Sequence, residues 1–341
     1  MKKIISLFTM ILLISAGVKA QDIGQVISGS TADANKYLQS YLEPFGKGEI
    51  LNMGRGWFNT AKAHKKLGFD ITVNAQVAII PDTKQFFTFN SSDYSTFKLK
   101  SGAASASVPT FAGDKTFQTI SVNTTVDGKN VSYEFNTPQG IGADMKKAVG
   151  FVAVPLPVAQ FGIGLFNNTD LKLRYFPQTN FGDVGVGVFG LAVQHEFSLK
   201  KIPLLHISAL AGYNTTNVVY DLKNSNIAGS NQKAELKLSA FTLSGIASVK
   251  LLFFEAYTAI GYTTGNADAN LKGSYTINYT DKGTGFTYSK TITDPVALKY
   301  SNSGISNTWG LRMNVAFFKL FADYTFAGYN GAGAGLAFSF R

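Results

Sequence analysis

Three histidines, His64, His195 and His206, are the residues on which metal or acid–base chemistry could be built. The chain has no cysteine, which removes thiolate ligands, cysteine nucleophiles and disulfides. A zinc centre needs three or four converging ligands. His195 shares strand parity with Leu191, Val193 and Phe197, an apolar face, whereas His206 lies opposite in parity to Leu205, Ile207 and Ala209. In the hairpin expected around 200–203 the two therefore point to opposite faces, and no shared metal is expected. Lipid hydrolases of the outer membrane use Ser/His pairs on a barrel's outer surface, and His195 is the one histidine facing that way. Ser198, three positions on, has the opposite parity and cannot meet it. No carboxylate pair is arranged for acid–base work. The run Gly331-Ala-Gly333-Ala-Gly335 is followed by no helix, so it is strand glycine and not a phosphate loop. The expectation is no catalytic residue, no metal and no cofactor. An outer-membrane lipid hydrolase stays only as a remote alternative.

The elements that hold these residues are strands. Leu67, Phe69, Ile71, Val73, Ala75, Val77 and Ile79 are apolar on odd positions, with Gly68, Asp70, Thr72, Asn74 and Gln76 between them. The same period-2 pattern recurs near 84–100, 115–126, 129–136, 149–165, 168–176, 183–199, 203–213, 233–249, 253–264, 302–317 and 319–327. It ends at Ala332, Ala334, Leu336, Phe338 and Phe340. An apolar face opposite a Gly/Ser face, closing on two aromatics, reads as the last strand of a transmembrane antiparallel β-barrel. A soluble β-sandwich also alternates. Against it stand this terminal strand, the alternation of short and long connections, and aromatic pairs at segment ends: Phe86-Phe87, Phe253-Phe254 and Phe317-Phe318. Short links fall at Pro81-Asp-Thr83, Asn167-Asn168, 200–203, 250–253 and Phe317-Phe318. Long polar ones fall at about 100–115, 137–148, 214–232 and 265–301, the last with an alternation of its own from Leu271 to Tyr279. Thirteen segments are readable. A barrel with both termini on one side needs an even number, so fourteen strands are expected, with twelve as the fallback.

By parity the barrel lumen should hold Asp70, Asn74, Gln76, Lys172, Arg174, Gln194, Glu196, Glu255, Arg312, Asn314 and Asp323. Both signs are present, which suits a wet mixed interior rather than a ring selective for one charge. A two-residue turn at Phe317-Phe318 would place Arg312 opposite Asp323 as a bracing ion pair.

Ahead of the strands the chain has a different character. Lys2 and Lys3, the apolar run Ile4 to Ala16 and the small-residue site Val18-Lys19-Ala20 read as a signal peptide over 1–20. Losing Lys2, Lys3 and Lys19 takes the net charge from +10 to +7. For an exported chain, outer-membrane lipids and lipopolysaccharide are nearer partners than nucleic acid. Residues 21–66 lack strand periodicity. Ser30 or Thr31 is expected to cap a short helix ending near Glu43, with Asp33 in its first turn and Pro44 beyond its end. Tyr37, Leu38, Tyr41 and Leu42 form its apolar stripe, and Trp57 follows in a Gly-punctuated stretch. This segment is expected as a plug or leader, and 67–341 as the barrel.

The motif Leu171-Lys-Leu-Arg174-Tyr-Phe-Pro177, then Gly182-Asp183 and Val188-Phe-Gly190-Leu-Ala-Val-Gln-His195, resembles a family of uncharacterised Gram-negative outer-membrane proteins, a domain of unknown function. The likeness extends over most of the chain beyond residue 20. The overall plan is also similar to the long-chain fatty-acid transporters of the outer membrane, which carry a short N-terminal hatch inside a fourteen-stranded barrel. These likenesses imply a barrel assembled by the barrel-assembly machinery. The favoured function is passive uptake of a small hydrophobic ligand through a plugged barrel. The alternative is a structural or adhesive barrel acting through its extracellular loops.

Overall fold

The computed structural model describes residues 26–340 apart from 127, 199–201, 203, 223–227 and 281–283. The signal peptide expected over 1–20 and the first residues of the expected plug lie outside the described residues, as does most of the 200–203 turn.

The alternating segments close into a ring of ten antiparallel strands. In chain order they are β1 (Phe69–Ile79), β7 (Ala153–Gly164), β8 (Thr169–Phe181), β9 (Val184–Phe197), β10 (Leu205–Asp221), β11 (Ala228–Leu251), β12 (Phe254–Thr280), β14 (Val296–Val315), β15 (Phe318–Phe326) and β16 (Gly331–Phe340). Each pairs with the next, and β1 closes on β16 with Phe69 opposite Phe340 and Ala78 opposite Gly331. The outward face is hydrocarbon: Ile71, Val73, Leu191, Leu243, Ile260, Ile305, Trp309 and Leu311 are all exposed. An apolar belt on a closed antiparallel ring is the architecture of a transmembrane β-barrel, where each backbone group must pair within the wall.

The count of fourteen, or twelve, is corrected to ten in the ring. The difference lies in residues 84–136, whose three alternating segments leave the wall. They fold instead as a two-stranded sheet, β2 (Phe86–Asn90) with β4 (Ser105–Pro109), and a three-stranded one, β3 (Phe97–Leu99), β5 (Thr119–Val126) and β6 (Lys129–Asn136). Alternation reports that one face is buried, and it does not say against what. These strands bury their apolar face as a cap, with α2 (Gly142–Val149) beside it. The cap core holds Phe89, Tyr94, Phe97, Ile120, Val122 and Phe135. Phe87 packs on Tyr37 at 5.6 Å in this cap rather than in an interfacial girdle. Pro81-Asp-Thr83 likewise opens the insertion and is not a short turn between wall strands.

Short turns mark one rim of the barrel. Asn167 and Asn168, Leu252 and Ala316 take left-handed backbone conformations there, as two-residue hairpin turns require. The opposite rim carries the cap. It also carries the continuation of β12 to Thr280, which pairs with β13 (Thr287–Thr293). The alternation at 271–279 is thus an extension of a wall strand, and the 214–232 link is mostly strand as well.

The helix α1 (Thr31–Met53) starts as expected, with the Ser30 hydroxyl accepting from Asp33 N at 3.1 Å. It does not stop at Pro44. It continues ten residues past the expected end at Glu43, and packing explains this. A Cβ on Gly46 would lie 2.7 Å from the Tyr300 ring and one on Gly48 3.1 Å from Val154. The two glycines let the helix press against the wall, and the burial gained there overrides the proline and glycine penalties.

Candidate functional site

The N-terminal segment runs the length of the barrel lumen. α1 begins in the cap, where Val26, Ile27, Tyr37, Leu38 and Tyr41 join the aromatic core. Farther along it meets β14: Asn35 Nδ2 donates to Pro295 O, Gln39 Nε2 to Lys299 O, and Asn302 Nδ2 to Lys47 O. Leu42 is half-buried at the edge of this core. Past Met53 the chain turns at Gly54 and Gly56 and descends irregularly to the short-turn rim, where it enters β1.

Residues 52–64 are held by hydrogen bonds that run in both directions between wall and plug. Arg174 Nη1 and Nη2 donate to Met53 O (3.3 Å) and Arg55 O (2.8 Å), and its guanidinium lies 3.5 Å over the Trp57 ring. Lys172 Nζ donates to Trp57 O at 2.8 Å and Gln160 Nε2 to the same oxygen at 3.3 Å. Asn214 reaches Met53 O, Gln194 reaches Thr60 O, and Arg312 Nη1 donates to Asn59 Oδ1 at 2.8 Å. The plug donates in return. Arg55 bonds the carbonyls of Val77 and Tyr329, Thr60 Oγ1 bonds Glu255, and Ala63 N donates to Glu196 Oε2 at 2.8 Å. At the mouth, His64 Nδ1 sits 2.9 Å from Asp170 Oδ2, and its Nε2 sits 3.8 Å from Asp70. Beside Arg55 a void of about 30 Å³ is lined by Thr242, Thr263, Ser306, Thr308 and Asp323. That is room for about two waters.

Residues 1–340 match the family described as a family of unknown function, DUF6588. The chain belongs to this family. No curated protein matches its sequence. Solved structures similar to it include three from named organisms. Ail, the attachment invasion locus protein of Yersinia pestis, has 10% identity over 81% of this chain and 99% of that one, with a TM-score of 0.26. The outer membrane protease OmpT from Escherichia coli has 10% identity over 81% and 97%, TM-score 0.28. A Pseudomonas aeruginosa FadL homologue has 11% identity over 88% and 95%, TM-score 0.24.

In this DUF6588 chain the residues singled out by parity are placed as follows. Asp70, Asn74, Gln76, Lys172, Arg174, Gln194, Glu255 and Arg312 face the lumen and are buried, and Glu196 and Asp323 face it half-buried. Asn74 donates through Nδ2 to Gly56 O of the plug and accepts at Oδ1 from Gln76 Nε2, while the Gln76 main-chain carbonyl accepts from Asn52. Asn314, nearer the rim, donates to Phe253 O. The Arg312–Asp323 pair does not form. Ala316-Phe317 is the turn, so Val315 opposes Phe318, Arg312 opposes Phe321, and Asp323 opposes Gly310. The shift is two residues, which keeps both side chains on the lumen face. Asp323 instead accepts from Tyr257 Oη at 3.0 Å, across Gly310. His195 contacts Thr169 Oγ1 on the outer face, while His206 Nδ1 meets Glu196 Oε1 at 2.6 Å inside. Ser198 accepts from Asn168 and does not meet His195.

Sequence reasoning missed Gln160, Asp170 and Asn52. Gln160 is the one polar side chain in an apolar run, and Asp170 shares parity with Lys172 and Arg174, so both had a signal. Asn52 had none, because its position depends on the helix continuing past Pro44.

Proposed function

We propose that the protein is an outer-membrane transporter admitting a small hydrophobic compound, with residues 26–66 as the hatch of its barrel. The outer membrane is the setting that suits a closed barrel with an apolar belt. The carrying observation is the character of the plug–wall interface over residues 52–64, below the apolar packing of α1. A filling that only stabilised the barrel would do as well with hydrocarbon, since buried charges gain little over well-packed apolar groups. Here the wall presents Lys172, Arg174, Gln160, Gln194 and Arg312 to oxygens of the segment. Such an interface can hydrate on both sides when the segment withdraws, whereas a hydrocarbon one would have to expose apolar surface.

The test is entry of N-phenylnaphthylamine into cells whose lipopolysaccharide leaflet otherwise excludes it. Cells producing the wild type should admit more than barrel-free cells, and the loosened variant Lys172→Ala/Arg174→Ala more still. No entry with either, nor after deletion of 26–61, refutes uptake.

A second reading is favoured by one observation: the first half of α1 belongs to the core of the cap. In that reading the barrel is a sealed stalk and the cap acts outside the cell, in adhesion or as structure. Loss of surface attachment on removing 84–136, with probe entry nil throughout, would support it. Both readings are non-enzymatic and use no cofactor. Both take membrane lipid and lipopolysaccharide around the belt and the barrel-assembly machinery as partners.

A further inference from the structure

In an antiparallel wall each residue exchanges its hydrogen bonds with one neighbour, and successive residues alternate between neighbours. Gly164 N donates to Gly68 O and Leu165 N to Thr169 O. Even residues of β7 therefore bond to β1, and odd residues are aimed at β8. Glu196 N donates to Asn168 O, so up to Phe176 even residues of β8 bond to β9 and odd ones are aimed at β7; past the register shift there the parity inverts, with Thr179 and Phe181 opposite Val186 and Val184 of β9.

β7 and β8 are 12 and 13 residues long, yet they pair only from Phe161↔Leu173 to Gly164↔Asp170. Each stays paired on its other side: β7 with β1 up to Ala153, and β8 with β9 up to Phe181. In the same register the next positions across the seam would be Ala159 with Tyr175 and Pro157 with Pro177, where the register shift of β8 begins, and Pro155 follows on β7. All three prolines are odd. Pro155 and Pro157 each lack the one N–H that would be donated across this seam and no other. Three of the nine prolines in the chain are placed there. Pro177 also lies in the register shift between Phe176 and Thr179.

Among the described residues no other strand pairs with either edge of the gap. Unpaired backbone is costly in hydrocarbon and is tolerated where it lines a passage or cavity. The seam is zipped at the short-turn rim and unzipped toward the cap. At its foot Arg174 Nε donates to Gln160 Oε1 at 3.2 Å, a side-chain tie just above the last ladder pair. The inward side chains above it are Val158 and Leu156, and Tyr175 flanks it outside at 62% exposure.

We propose that the β7–β8 seam is a lateral gate through which a small hydrophobic compound passes between the barrel interior and the cap-side half of the membrane. This rests on the uptake reading above. The occupant is apolar because one side of the gap opens on lipid and the other on Val158 and Leu156. The Arg174–Gln160 tie and its plug contacts couple the gate to the hatch.

Two variants test it. Pro155→Thr/Pro157→Thr/Pro177→Thr restores the missing donors and should extend the ladder. Ala159→Cys/Tyr175→Cys, in a chain with no other cysteine, staples the seam on oxidation. Amide exchange at Ala159 and Tyr175, seam-facing positions that carry an N–H, should be fast in the wild type and slow in the proline variant. Entry of N-phenylnaphthylamine should fall to the barrel-free level in the proline variant and in the oxidised staple, and recover on reduction. Uptake that persists through the staple, or seam amides as protected as those of 161 and 163, overturns the gate and leaves the uptake reading standing. No uptake by the wild type, with fast-exchanging seam amides, overturns the uptake reading and the passage with it.

Discussion

Arg174 lies flat on Trp57, its guanidinium carbon 3.5 Å from the ring centroid, and both side chains are 1% exposed. One residue comes from the wall and the other from the plug, so this stack joins the two. Gly190 and Gly212 leave room for the indole: a Cβ on either would lie about 3 Å from it.

Replacing Arg174 should loosen the plug before it harms the barrel. Arg174→Ala leaves the carbonyls of Met53 and Arg55 without these donors and removes the stack. The expected loss is about 3–5 kcal/mol, the scale for breaking a buried charged interaction. Arg174→Lys should not rescue it, because an ammonium cannot span both carbonyls and stack. Denaturant unfolding of the purified protein, with Trp57 fluorescence as an early probe, measures this.

Trypsin should cut after Lys62, Lys65 or Lys66, which are exposed at the mouth, and the piece from α1 to at least Lys62 should stay in the lumen. A size-exclusion profile in which the fragment co-elutes with the barrel, separating only in denaturant, is the expected result. Stepwise loss of the whole segment under native conditions would mark a mobile leader.

Gly310→Ala should destabilise through one contact. Its Cβ would fall 2.1 Å from the Tyr257 ring, which occupies the space over the glycine on its way to Asp323. Overpacking of this kind costs about 1–3 kcal/mol. Adding Tyr257→Ala removes the clash, so the double variant should lose less than the two single losses combined, as read by thermal melting.

The cap should detach from α1 in acid. Asp33 is buried, which by itself raises its pKa. Hydrogen bonds from Thr96 and Ser95 outweigh that and hold the carboxyl below its usual range. A depressed carboxyl contributes stability in full above its unfolded value of about 3.9, and loses it as pH falls through the folded value. Proteolysis of the 91–99 loop should therefore accelerate below about pH 4. Asp33→Asn should show the fast rate at all pH.

Phe338→Asp/Phe340→Asp should block assembly. Phe340 stacks on Phe69 at 5.2 Å and Phe338 lies 5.0 Å from Phe318, so both sit on the lipid side of the closing seam. Charges on this face are destabilising to a degree that falls from mid-membrane, where a cation costs about 2–4 kcal/mol, toward the rim, and the two together oppose closure of the last strand. The measure is heat-modifiable protein in the outer-membrane fraction.

Features that depend on neighbours along the chain are legible in the sequence. Period-2 alternation assigns each wall residue a face, which is why Asp70, Lys172, Arg174, Glu255 and Arg312 could be placed toward the lumen without coordinates. The N-cap at Ser30 is local in the same way. Tertiary structure alone decided three things. It set which alternating segments join the ring, because Phe89 or Val122 has equal reason to bury against lipid or against a cap. It set the pairing partner within a face, because a shift of two residues preserves parity and moves Asp323 from Arg312 to Tyr257. And it set where α1 ends, because Gly46 and Gly48 are helix breakers in isolation and become helix formers only when Tyr300 and Val154 press against them.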